Sequence, residues 1–338
     1  MTNSARLVLI RAYLDQGWLE RLQRLSPDLK IEHFPPQKNE VVPETMWHEA
    51  EIIYTFPWGL PTPQQVPNVR WVHLYSAGAD RILTQPLYTD TSITFTTSSG
   101  VHAINIAEYV LTMVQFWYHR IPQLLELQHE KKWLPQNTLV PEELDGKTIG
   151  IVGYGSIGRQ VGRLARAFGM RVLAMQNSSD HRDTGFQFPN VGDPDGTIPE
   201  HYYTTDQLHD LLRESDVVLI AVPLTPKTHH LFDASAFQAM KASAFLVNIA
   251  RGEICDEQAL IQAIEQKEIA GAALDVFEHE PLPSESPLWN MPNVFVTPHI
   301  SGLTSHYNAR AATIFEANLR QYLAGKQLYN VVDRSRGY

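Results

Sequence analysis

Short apolar runs alternate with amphipathic stretches along the first hundred residues. Segments 7–10, 31–33, 51–55, 69–75 and 93–96 are strand-like, and 15–25 has helical spacing. Strands alternating with helices predict a parallel sheet covered by helices. Residues 101–120 follow as one helical pattern, with Ile104, Ala107, Tyr109, Val110, Val114 and Trp117 on a common face, ending near Pro122. Beyond Gly146 the alternation becomes more regular, with strand candidates at 148–152, 171–175, 217–221, 244–249, 271–275 and 294–297. That series predicts a doubly wound α/β sheet. Residues 180–200, rich in Gly, Pro, Asp and Asn, have no apolar period and predict a loop at the sheet edge. A last helical stretch, 305–323, leads into a tail expected to return to the first lobe. The expected division is therefore 1–102 plus 304–338 for one domain and 103–303 for the other.

Composition narrows the class. The chain has 338 residues, 43% apolar and 19% charged, which suits two globular domains with sizeable cores. Twenty-seven basic against thirty-seven acidic residues give a net charge of −10, which argues against nucleic acid or an anionic membrane as the main partner. No apolar run approaches the roughly 18 residues of a membrane span. The N-terminal stretch lacks the apolar core of a secretory signal, and Cys255 is the only cysteine, which removes an internal disulfide or a multi-cysteine metal site. A cytoplasmic location and no metal are the expectations. Cys255 itself reads as an inert helix-start residue.

Gly153, Tyr154, Gly155, Ser156, Ile157 and Gly158 follow a strand candidate and open a helical pattern. This is the setting in which a glycine triplet cradles a dinucleotide pyrophosphate. The first glycine allows the turn, the second admits the phosphates and the third lets helix and strand pack, with free amides facing the anion. About twenty residues on, where an acidic side chain would hold the ribose of NAD, the chain has Gln176, Asn177 and Ser178. Without a carboxylate there, a 2′-phosphate is not repelled. Arg182 offers positive charge nearby, which favours NADPH over NADH, while Asp180 leaves room for NADH.

Three later segments follow strand candidates and carry Arg251, Glu280 and His299. Ligands of a doubly wound sheet bind outside the carboxyl ends of its strands, so the three converge there. Together with the glycine loop and Tyr75-Ser76-Ala77-Gly78-Ala79-Asp80, these segments resemble the D-isomer-specific 2-hydroxyacid dehydrogenase family over nearly the whole chain. The resemblance implies a Rossmann-type cofactor domain and a flavodoxin-like substrate domain. It implies NAD(P)H-dependent reduction of a 2-keto acid to a D-2-hydroxy acid. Arg251 would bind the carboxylate and carbonyl of the substrate, His299 would exchange the proton, and Glu280 would pair with the histidine. The chemistry fits those residue types. Negative charge grows on the carbonyl oxygen as C2 is reduced, an imidazole ordinarily titrates near pH 6.5, and a guanidinium clamps a carboxylate through two parallel hydrogen bonds.

Further assignments follow from the same resemblance. Ala77, Gly78 and Ala79 would offer backbone amides to the substrate carboxylate, and small residues permit that approach. Pro223, Thr228, Ala250, Asp275 and Gly302 would border the cofactor, with Asp275 near the nicotinamide carboxamide. A strand-end aspartate can also simply cap a turn. Glu280, where formate dehydrogenases of the superfamily carry glutamine, argues against formate. Phe56 and Trp58, in a loop that carries no cation of its own, suggest a substrate with a modest or apolar side chain. Residues 128–145, with Trp133, correspond to an arm that wraps a second subunit in relatives, implying a homodimer. The alternative reading is a dinucleotide-sensing, corepressor-like regulatory protein that retains the same three residues.

Overall fold

The structure is a computed structural model that describes residues 5–38 and 40–337. The chain divides into two compact units: Met1–His102 with Thr184–Phe186 and Thr304–Tyr338, and Ala103–Asp183 with Gln187–Leu303.

The first unit is built on five parallel strands, β1 (Arg6–Ile10), β2 (Leu29–His33), β3 (Ala50–Thr55), β4 (Trp71–Leu74) and β5 (Thr94–Thr97). Their order is β2-β1-β3-β4-β5, the flavodoxin-like arrangement. Period-two alternation divides the side chains between two cores. Leu7, Leu9, Ile53, Val72 and Leu74 face one layer, while Val8, Ile10, Ile52, Tyr54 and Trp71 face Phe315 and Leu319 of the C-terminal helix Tyr307–Leu323. That helix covers the sheet because Tyr54 stacks on Phe315 at 4.4 Å and Trp71 on Tyr322 at 5.4 Å. Helices α1 (Gln16–Gln23) and α2 (Glu44–Glu49) lie in the β1–β2 and β2–β3 crossovers. Asp15 caps α1 by accepting from the amide of Trp18 at 2.9 Å.

The second unit carries seven parallel strands: β6 (Thr148–Val152), β7 (Arg171–Met175), β8 (His201–Tyr203), β9 (Val217–Ile220), β10 (Phe245–Asn248), β11 (Gly271–Leu274) and β12 (Val294–Val296). The order β12-β11-β10-β9-β6-β7-β8 reverses direction at β6, which is the Rossmann arrangement. Helices α3 (Ala103–Tyr118) and α5 (Ser156–Ala167) pack on one face, where Val110, Val114 and Val161 meet Ile149, Ile151 and Leu219. The helix α4 (Ile121–His129) lies between these two in the chain. Helices α6 (Leu208–Glu214), α7 (Ala234–Ala239) and α8 (Glu257–Glu265) cover the other face, where Leu211, Phe237 and Leu260 meet Val218 and Leu246. Each fully buried side chain of this kind contributes roughly 1.5–3 kcal/mol.

One sequence expectation needs correction. The helix read as 101–120 ends at Tyr118, Arg120 adopts the left-handed conformation with φ 56°, and Pro122 sits in the first turn of α4. Proline fits a first helical turn, where its missing N–H has no partner to lose, so Pro122 opens a helix instead of stopping one. The short edge strand β8 was also not legible, because three residues are too few to show a period. Among the described residues no helix is long and apolar enough to cross a membrane.

Candidate active site

The glycine loop leaves β6 at the point where the sheet order reverses. Gly153 has φ 106°, and a Cβ there would lie 2.6 Å from the carbonyl carbon of Ala221, so side-chain-free backbone is required at this crossing. A Cβ on Gly158 would lie 2.3 Å from the carbonyl oxygen of Gly153. Gly155 differs: a Cβ built on it meets nothing within 4 Å, and no side chain caps the α5 amides that begin there. An open cradle over uncapped helix amides suits an anion. The donor set and the space fit a dinucleotide pyrophosphate.

Past β7, the segment expected to face the adenosine ribose is partly engaged. Gln176 donates its backbone N–H to Tyr203 at 2.9 Å, and its side-chain Oε1 is buried without a hydrogen-bond partner. Asn177 Oδ1 accepts from the amide and hydroxyl of Thr205, each at 3.0 Å, and Ser178 donates to the carbonyl of Asp180. Arg182 is not an isolated cation. Its guanidinium forks onto Asp180, with Nε to Oδ1 at 3.1 Å and Nη2 to Oδ2 at 2.9 Å. The hydrogen bonds from Arg182 hold the Asp180 carboxyl down at about 2.

The loops after β10, β11 and β12 interlock. The first carries Arg251, whose Nη1 donates to the carbonyl of Ala250 at 2.7 Å, while Asn248 ties the turn by donating to the Arg251 carbonyl at 3.1 Å. A Cβ on Gly252 would lie only 1.9 Å from the carbonyl carbon of Phe277, which places this turn directly against the loop after β11. In that second loop the amide of Phe277 donates to Glu280 Oε1 at 3.2 Å. Glu280 Oε2 in turn lies 2.8 Å from His299 Nδ1. An ionised carboxylate only accepts, so Nδ1 is the donor and Nε2 is the ring nitrogen left for a substrate. The His299 and Glu280 side chains are 47% and 38% exposed, open enough to be reached.

Asp275 holds the histidine loop. It is fully buried, accepts from Thr297 Oγ1 at 2.6 Å and the Ile300 amide at 2.9 Å on one oxygen, and from the Ser301 amide at 2.9 Å on the other. Thr297 also bonds Tyr109 of α3 at 2.7 Å, and Asn105 donates to the Ser301 carbonyl at 2.7 Å. Within this frame His299 adopts φ 53°, a conformation that a non-glycine residue holds only when its surroundings impose it. Asp275 thus caps the turn after β12. Sequence reasoning missed Tyr109 and Asn105, whose only signal is a polar atom on the inward face of an apolar helix. Pro223 and Thr228 close a tight turn, with the Thr228 hydroxyl donating to the Pro223 carbonyl at 2.6 Å. Cys255 is buried, and burial pushes its thiol pKa up.

In the first unit, Ala77, Gly78 and Ala79 follow β4, where Ser76 donates to the carbonyl of Gly78 at 2.7 Å. Phe56 stacks on Trp58 at 4.9 Å and packs against Tyr13 and Tyr75 at 5.4 and 4.7 Å, so the loop belongs to an aromatic group that sequence reading saw only in part. The loop itself has no cation, but Arg81 lies over the exposed Trp58 ring at 5.6 Å.

Comparison with known proteins bears on this arrangement. The family model "D-isomer specific 2-hydroxyacid dehydrogenase, NAD binding domain" matches residues 111–301. A glyoxylate reductase from Thermofilum pendens is 36% identical over 264 residues, covering 77% of this chain and 74% of that protein. Another from Korarchaeum cryptofilum is 29% identical over 97% of this chain and 96% of its own. Among solved structures, a D-isomer specific 2-hydroxyacid dehydrogenase from Xanthobacter autotrophicus Py2, in complex with NADPH and MES, superposes with a TM-score of 0.77 at 28% identity, covering 99% of this chain and all of that one.

Proposed function

Since the chain belongs to the D-isomer specific 2-hydroxyacid dehydrogenase family and is an oxidoreductase of it, we propose that it reduces a small 2-keto acid to the D-2-hydroxy acid, and glyoxylate to the achiral glycolate, with His299 as proton donor. The observation that carries this reading is the 2.8 Å contact between His299 Nδ1 and Glu280 Oε2, the loop of Glu280 lying against the turn of Arg251.

A bound NAD(P)H supplies the two electrons and the hydrogen that reach C2. The residues of this chain do the rest. Gly153 to Gly158 hold the pyrophosphate on the α5 amides, and the side-chain amide of Gln176 donates to a ribose 2′-phosphate. The absence of a carboxylate at the end of β7 favours NADPH, the dinucleotide bound in the structure of the Xanthobacter relative. Arg251 holds the substrate carboxylate and the carbonyl oxygen. His299, protonated and backed by Glu280, delivers a proton from Nε2 as charge develops on that oxygen. In the reverse direction the neutral ring takes the proton back. Asp275 acts on this chemistry through the backbone of the His299 loop.

To the first unit we assign recognition of the substrate, with the 77–79 amides binding a carboxylate and the aromatic group around Phe56 and Trp58 favouring a modest or apolar side chain. Segment 128–145, with Trp133 97% exposed, is proposed as the surface of a homodimer. Sedimentation at micromolar concentration checks that point, and a monomer would overturn it.

Initial-rate oxidation of NADPH and NADH with glyoxylate, hydroxypyruvate, pyruvate and phenylpyruvate tests the activity. Turnover with at least one of them, faster with NADPH, is expected. Dinucleotide binding without turnover on any would instead favour the regulatory reading. A strong preference for a phosphorylated keto acid would refute the assignment of the aromatic group.

A further inference from the structure

Residues 176–200, between β7 and β8, form neither helix nor strand. Their neck is nevertheless closed by a buried polar network anchored on α5. The amide of Asp183 donates to the carbonyl of Pro194 at 2.8 Å, joining the two limbs of the excursion. Arg159, directly after Gly158 in the first turn of α5, has a side chain only 3% exposed. Its guanidinium donates to the carbonyl of His181 at 2.6 Å and to that of Asp193 at 2.7 Å, one on each limb. Asp193 is 4% exposed and accepts from the Tyr154 hydroxyl at 2.9 Å and from the amides of Thr197 and Ile198 at 3.0 and 2.9 Å. His181 lies flat on Tyr202 at 3.6 Å, and a Cβ on Gly196 would come within 2.3 Å of the His181 carbonyl oxygen. The neck has no slack.

A guanidinium is costly to bury unless its N–H groups are used, and an apolar side chain would hold a loop at less expense. A rigid fork does something an apolar contact does not: it fixes the direction as well as the position of two carbonyls. The backbone so fixed leads straight into Gln176–Arg182. The groups doing the fixing, Tyr154 and Arg159, belong to the glycine loop and the helix turn beneath it. One buried network therefore joins the two stretches assigned to the two ends of the adenosine diphosphate moiety.

We propose that Arg159, with Asp193 and Tyr154, is a positioning residue for the dinucleotide, holding segment 176–182 in register with the glycine loop. This rests on the reading that residues 153–158 and 176–182 bind the cofactor. It needs no contact between Arg159 and the ligand. Its consequence is confined to cofactor affinity, because the His299 loop is held separately by Asp275.

The test uses the full chain with Arg159→Met, Asp193→Asn and the milder Tyr154→Phe, which removes one hydroxyl and keeps the ring. NADPH binding is read by fluorescence titration, glyoxylate reduction by initial rates, and the neck by the speed of tryptic cleavage after Arg182. Loss of both guanidinium hydrogen bonds, felt at the cofactor only through segment 176–182, predicts a Kd and KM for NADPH raised about tenfold in Arg159→Met. The kcat at saturating cofactor should stay within about twofold, and cleavage after Arg182 should accelerate. Tyr154→Phe should move Kd in the same direction by less. Addition of methylguanidinium to Arg159→Ala should recover part of the affinity, which a general loss of packing would not allow. Variants that melt earlier yet bind NADPH as tightly as the parent overturn the proposal, as does a lower kcat at unchanged KM. If Arg159→Met fails to fold, an unchanged Kd in Tyr154→Phe overturns it equally. A parent protein that binds neither NADPH nor NADH overturns the dinucleotide reading itself, a separate and recognisable result.

Discussion

Replacing Asp275 with asparagine removes the charge that holds the His299 loop while keeping nearly the same volume. The parent carboxylate takes three hydrogen bonds, from Thr297 and Ile300 on one oxygen and from Ser301 on the other, in a fully buried position. The single oxygen of asparagine can keep the first two, weakened to neutral strength. Its NH2 then faces the Ser301 amide, donor against donor. A hydrogen bond to a charged group is worth about 1.5–3 kcal/mol and a neutral one about 1 kcal/mol, and relief of carboxylate desolvation offsets part of the loss, leaving a net destabilisation of roughly 2–4 kcal/mol. The same change frees His299 from its imposed φ of 53°. A misplacement of about 1 Å costs on the order of a hundredfold in rate, so kcat for keto-acid reduction should fall about 10- to 100-fold. Urea unfolding and steady-state kinetics on one preparation read both effects. A midpoint and a kcat both indistinguishable from the parent would refute the claim that Asp275 frames this loop.

Three further outcomes follow from the geometry. Gly252→Ala would place a methyl 1.9 Å from the Phe277 carbonyl carbon, so the loops carrying Arg251 and Glu280 must separate; activity should be lost and stability should drop by more than about 3 kcal/mol, and an active, stable variant contradicts the packing. Burial depresses the His73 pKa to about 3, so the unfolded chain takes up a proton below about pH 6.5 that the folded protein refuses. Stability tied to this group is therefore complete above that pH and declines by about 1.4 kcal/mol per pH unit as pH falls toward 3; His73→Gln should flatten that slope in urea titrations, and an unchanged slope contradicts the assignment. Asp180→Asn releases Arg182, the only Lys or Arg between positions 171 and 213, and should shift the NADPH-to-NADH ratio of kcat/KM several-fold toward NADPH; no shift places the 2′-phosphate elsewhere.

The parallel sheets were legible because β/α alternation and period-two burial are local properties, visible at Leu7–Ile10 and again at 148–152. The glycine loop was legible because its three glycines lie within six residues between a strand and a helix: Gly153 and Gly158 answer backbone clashes, and Gly155 leaves open space over the helix amides. What stayed hidden depends on partners far apart in sequence. Asp275 meets Ile300 and Ser301 across two strands, and nothing in either segment announces it. Nothing in the sequence singles out Arg159 from the helix that follows Gly158; its burial comes from the excursion folded over it. Likewise Pro122 reads as a stop until the left-handed Arg120 before it shows that a new helix begins.

The central claim is that His299 gives the proton to the substrate oxygen. Single-turnover oxidation of bound NADPH by glyoxylate, followed for the parent and for His299→Asn, tests it most directly, because asparagine tolerates the left-handed backbone and leaves the loop in place. The account predicts a reduction step slower by about 10²- to 10⁴-fold with NADPH affinity unchanged. A step that proceeds at the parent rate would contradict it.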